Sequence, residues 1–146
     1  MTTFTRPIFP AISLTLLAAA AACGGDQTAP VEDHTPTRYN VLFNEIAATS
    51  PYSFVVGQTV RLRLKLFNAA GEDLDHVEAE HFANLTFNPT DLVTVARVPG
   101  HNFQFDVTGA TAGTGTLVVS FGHDSLADET SFPSQPVNVD AAGGPN

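Results

Sequence analysis

The chain has a single cysteine, Cys23, among its 146 residues, which excludes an internal disulfide and any cysteine-rich zinc site. Cations are scarce: six Lys and Arg stand against fifteen Asp and Glu, for a formal net charge of −9. A surface of that sign repels phosphate, so nucleic acid is excluded as a partner. Charged residues of both signs make up 14%, against roughly 25% in ordinary soluble domains. Thr, Gly, Pro and Asn take their place, a composition that suits short strands joined by turns. Helical periodicity is also missing. Beyond the first 22 residues no stretch repeats its apolar positions every 3.6 residues, so helices are expected to be short or absent. There is no tryptophan.

What is present divides the chain into four parts. Residues 1–22 begin polar, with Arg6 the lone cation, and turn apolar from Ile8 to Ala22. That run falls short of the about 20 residues that cross a bilayer as a helix, and it ends in small residues, as a signal peptide does. The stretch "LLAAAAAC" resembles a bacterial lipoprotein signal, with Ala20, Ala21 and Ala22 ahead of Cys23. The resemblance implies lipidation at Cys23. It also implies, from Gly24 directly after the cysteine, an outer-membrane destination facing periplasm or exterior. Acyl chains on Cys23 would cap an otherwise odd thiol and hold the protein to the membrane, its first expected partner. Residues 23–38 are polar and broken by Pro30 and Pro36, which describes a disordered spacer, with His34 solvated in it. Residues 39–140 form the expected folded domain, and 141–146 a disordered tail.

Within that domain two-residue alternation dominates. In "TVRLRLKLFN", Val60, Leu62, Leu64 and Leu66 share one face while Arg61, Arg63 and Lys65 share the other. Phe103, Phe105 and Val107 alternate in the same way, as do Leu117, Val119 and Phe121. "NVLFNEIA", "LVTVARV" and "PVNVD" add further strands, the last flanked by Pro133 and Pro136 and so expected at an edge or a bend. The pattern predicts an all-β, antiparallel sandwich of about seven strands.

The order "VVGQTVRLRLKLFNAAGEDL", "NPTDLVTV", "DVTGATAGTGTLVVSF" resembles the bacterial immunoglobulin-like domain of group 2, the invasin/intimin type. The resemblance implies an immunoglobulin-like sandwich used as a spacer or adhesion module. It gives structural turn roles to Gly57, Gly71, Gly109 and Gly113. Where the family carries a tryptophan this chain has "HFANLTF", so Phe82, Leu85 or Phe87 is expected to fill its volume.

Two chemistries compete with that passive role. His123, Asp124 and Ser125 are consecutive, and consecutive residues rarely converge on one point as a nucleophile and its base must. Glu78 and Glu80 on one strand face would be solvated, with no cleft to shift either pKa. No enzyme is expected. A metal is the sharper alternative. If "LDHVEAEHF" is extended, His76, Glu78 and Glu80 share a face, and His101 and His123 at strand ends could join them around zinc or copper. The leading expectation is therefore a membrane-tethered, non-catalytic module of the cell envelope without a cofactor, whose partner is another envelope protein or a surface glycan. The alternative is an envelope lipoprotein that binds a divalent transition metal.

Overall fold

The computed structural model describes residues 33–122 and 130–143. Ten strands lie in these segments: β1 (Arg38–Phe43), β2 (Ile46–Ala48), β3 (Tyr52–Val55), β4 (Thr59–Phe67), β5 (Phe82–Asn88), β6 (Val93–Arg97), β7 (Gln104–Gly109), β8 (Gly113–Gly122), β9 (Thr130–Ser131) and β10 (Gln135–Asp140). The alternation of β4 sets the architecture. Leu62, Leu64 and Leu66 are completely buried, while Arg61 is exposed and Arg63 and Lys65 are half-buried on the outer face. Val107 on β7, Val41 on β1, and Leu117, Val119 and Val137 from the facing layer complete a core with no accessible surface. At about 25 cal/mol per Å² of apolar area removed from water, such a core is the main stabilising term.

The layers are two sheets, ordered β2-β1-β4-β7-β6 and β3-β10-β8-β5, with β9 also pairing to β8. The first contains the A-B-E-D order of an immunoglobulin sandwich and the second its C-F-G order, with β3 added parallel to β10. The expected all-β, antiparallel, immunoglobulin-like sandwich is the fold. The strand count is higher than seven because several runs are subdivided. "NVLFNEIA" is a hairpin rather than one strand: Asn44 and Glu45 both take positive φ (49° and 67°), the geometry of a tight two-residue reversal. Phe43 then faces Ile46 across the turn.

The last strand is not at an edge. β10 lies between β8 and β3, and its ladder with β3 begins at Val137, one residue past Pro136. The missing proline N–H therefore interrupts nothing on that side. Of the residues expected to replace tryptophan, Phe87 is buried, its ring 6.1 Å from Phe54, whereas Leu85 is part-buried against the core. Phe82 lies beneath the Arg97 guanidinium.

The start of the domain also differs from the expected spacer. Thr37 N donates to Phe67 O at 2.8 Å, Asn68 Nδ2 donates to Asp33 O at 3.2 Å, and Pro36 is buried. Residues 33–37 thus pack on the end of β4 because Asn68, itself only 3% exposed, has amide groups to satisfy.

Candidate functional site

The connection from β4 to β5 gathers more polar chemistry than any other loop among the described residues. It leaves β4 through a turn in which Gly71 takes φ 85°. The Asn68 side chain closes that turn: its Nδ2 donates to Glu72 Oε2 at 2.7 Å and its Oδ1 accepts from Glu72 N at 2.9 Å. Asp73 Oδ1 then accepts from Asp75 N at 2.8 Å, and a single 3-10 turn follows over Asp75–Val77. Leu74 and Val77 pin this turn to the core, 1% and 4% exposed.

Three histidine rings meet here. His34, from the segment ahead of β1, lies 5.5 Å from His76 and 5.6 Å from His81 between ring centres, edge to face in both cases. His81 is 2% exposed and stacks on Phe121 at 5.0 Å. Beside them a cavity of about 280 Å³ is lined by Asp33, His34, Asn68, Glu72, Leu74 and His76.

On the outer face next to this loop, Lys65 pairs with Asp73 at 2.5 Å, Arg63 with Asp75 and with Glu45 (3.2 Å), and Arg61 with Asp106 (2.6 Å). Burial pushes the Asp75 carboxyl up, and the neighbouring Asp73 adds to that, against the pull of Arg63. Burial pushes Asp73 up too, but the Lys65 ammonium and the Asp75 N–H outweigh it and leave Asp73 below the usual carboxylate range. The charges are engaged with one another.

The residues singled out in the sequence fall in several places. The extended reading of "LDHVEAEHF" is corrected by the 3-10 turn, which removes the two-residue alternation that would have aligned His76, Glu78 and Glu80. Glu78 and His101 do come together, with His101 Nδ1 3.7 Å from Glu78 Oε1. That carboxylate also accepts from Phe103 N at 3.0 Å, so it caps the entry to β7. Glu80 is exposed. His123 and Cys23 lie outside the described residues. His34, expected to be solvated, packs against two histidines. Among the described residues no group of three or more His, Cys, Asp or Glu side chains is placed so that it could hold a metal ion.

The glycines have distinct geometries. Gly57 has φ 78° and open space around it. Gly109 instead sits where a Cβ would lie 2.4 Å from Val55 O, and Gly57 N donates to Gly109 O at 2.8 Å. Gly113 opens β8.

A second concavity lies on the other side of β1 and has no counterpart in the sequence pattern. A groove of about 380 Å³ runs between the sheets and is lined by Arg38, Tyr39, Thr49, Tyr52, Phe132 and Gln135, among others. Tyr39 lies edge-on to Phe132 at 4.9 Å, and its buried hydroxyl has no hydrogen bond of ordinary geometry. Desolvation, with Tyr52 nearby, pushes the Tyr39 phenol up to about 12. Tyr52 and Phe132 are separated by 80 residues of chain, so no local pattern joins them.

No family model matches the chain, so the resemblance to group 2 immunoglobulin-like domains has no such match behind it. No curated protein matches it either. Among solved structures the chain is similar to domains 4 and 5 of the S-layer protein SbsC, at 19% identity and a TM-score of 0.43. That match covers 73% of this chain and spans about half (48%) of the other.

Proposed function

We propose that the chain is a lipid-anchored, non-catalytic immunoglobulin-like module of the bacterial cell envelope. The observation that carries the reading is Cys23 at the end of an apolar run, followed by a polar spacer and then a β-sandwich. A lone thiol at that position is explained by a thioether-linked lipid, and two or more acyl chains give stable attachment where one gives marginal binding. The non-catalytic part is supported by where the charge goes: Arg61, Arg63 and Lys65 pair with carboxylates on an outer sheet face instead of facing a cleft. Gly24 after the cysteine favours the outer membrane.

The groove bounded by Tyr39, Tyr52 and Phe132 is the surface we assign to a partner, a second envelope protein or a surface glycan. Aromatic faces with hydroxyl, amide and guanidinium groups on the rim suit either. The test is metabolic labelling with palmitate in a bacterial host, wild type against Cys23→Ser. The reading expects label in the membrane fraction for the wild type, and neither label nor signal cleavage for the variant. Equal labelling of both, or of neither, would refute the anchor.

A further inference from the structure

We propose that the open edge of β1 at Tyr39, beside the groove that Arg38 helps to line, takes up an extended peptide carrying a carboxylate, added as a further strand in line with β2. The proposal rests on reading that groove as a partner surface and narrows its occupant to a peptide. It is independent of the lipid anchor.

The edge is open because β2 is short. β2 pairs with β1 only along Val41 to Phe43, opposite Ala48 to Ile46, and the chain then runs through Thr49 and Ser50 to β3 in the other sheet. β1 continues past it over Arg38 to Asn40, paired there with β4 alone. Backbone groups alternate in direction along a strand, and Asn44 N donates to Arg61 O on the β4 side. Even-numbered residues of β1 therefore address β4. Tyr39 turns its N–H and C=O the other way, with Val41 and Phe43. Among the described residues neither group of Tyr39 has a backbone partner. Unpaired donors and acceptors on a sheet edge are a template for an added strand.

The same edge borders the groove of about 380 Å³. Tyr52 and Phe132 are buried, so they make a floor with little ring face for a sugar to stack on. An extended peptide suits the place better, since its backbone pairs along the edge while alternate side chains enter the concavity. Arg38 sets the charge of the occupant. No Asp or Glu lines the groove, in a chain that has fifteen. Among the described residues, Arg61, Arg63 and Lys65 pair with carboxylates and Arg97 with carbonyls. Arg38 is the remaining cation: it is exposed, lies over the Phe67 ring at 4.6 Å and has no ion pair. A guanidinium resting on a ring face keeps N–H groups for an Asp or Glu of the peptide.

The experiment selects phage-displayed random heptapeptides on the immobilised full chain and follows the winner as a synthetic peptide. The expected winner alternates β-branched residues and carries an acid. Bound, it should slow hydrogen exchange at the Tyr39 amide about 10-fold or more. The Val95 amide should not change; it lies on the outer edge of β6, since Val98 N donates to Gln104 O and Val95 faces the opposite way. Arg38→Gln should weaken the peptide about 10-fold. Arg38→Glu should regain binding to the same peptide with Lys in place of its acid, a rescue that a misfolded variant cannot give. No enrichment, a winner that leaves Tyr39 exchange unaltered, or binding indifferent to both Arg38 variants would overturn the proposal. Binding of acidic glycans on an array, without peptide enrichment, would also overturn it and leave the groove a partner surface.

Discussion

The Arg97 guanidinium donates to the Ala83 carbonyl at 2.6 Å, joining the edge strand β6 of one sheet to the edge strand β5 of the other. The same group donates to Asn84 Oδ1 at 3.0 Å and to Asn102 O, and lies over the rings of Phe105 (4.9 Å) and Phe82 (5.5 Å). No carboxylate is among these partners. Burial pulls its pKa down, but carbonyl dipoles and aromatic faces keep the charge acceptable.

Arg97→Ala should therefore cost about 2–4 kcal/mol, because it leaves carbonyls without their charged donor and removes the ring contacts. Arg97→Lys should recover only a minor part, since an ammonium cannot span several carbonyls as a planar fork does. Urea unfolding of the three proteins checks this. Equal stability of the Lys variant and wild type would show that charge alone suffices.

Gly57→Ala and Gly109→Ala should differ in cause and size. At Gly57 there is room, and the cost is the left-handed backbone, about 1 kcal/mol. At Gly109 a Cβ would overlap backbone atoms of Val55 at 2.4 and 2.7 Å, forcing β3 away from the end of β7 at a cost of about 2 kcal/mol or more. Thermal melts of both variants should place Gly109→Ala clearly lower.

The two faces of β4 should respond unequally to truncation. Leu64 has no accessible surface, and Leu64→Ala should cost about 3 kcal/mol through lost burial and the cavity left behind. Arg61 pairs with Asp106 in solvent, so Arg61→Ala should leave the urea midpoint essentially unmoved.

The fold was legible because burial follows parity: Leu62, Leu64 and Leu66 carry their inward position in the sequence itself. The reversal at Asn44–Glu45 was not legible, because it lacks the glycine that marks most such turns. The turn over Asp75–Val77 hid behind an apparent alternation, although Leu74 and Val77, three apart and both buried, carry its helical signal. The histidine cluster and the Tyr39–Tyr52–Phe132 groove depend on residues far apart in the chain. Pairing of β1 with β4 brings His34 to the loop after β4, and the closing of the two sheets brings Tyr39 to Tyr52. Glu78 and His101 were legible as polar candidates but not as a cap on β7, which needs the tertiary placement of Phe103 N.

The chain has only two tyrosines, so phenolate absorbance reads this groove alone. Burial raises Tyr52 as well, so at pH 10 each tyrosine of the folded protein should be less than half ionised, and the Tyr39 transition should centre near 12. The folded-state value exceeds the ordinary 10.0, so folding favours the neutral phenol. Its contribution is intact below pH 10 and is lost as pH climbs through about 12. Tyr39→Phe should remove the higher transition. A single transition at 10 in the native protein would show the groove to be solvated.

The most direct test of the sandwich is a through-space NMR contact between the rings of Phe43 and Phe54, which lie on opposite sheets with centres 5.3 Å apart. The account predicts a strong cross-peak between them that vanishes in Phe54→Leu, whose β3 remains paired to β10. Well-dispersed spectra of the folded protein in which these two rings share no contact would contradict it.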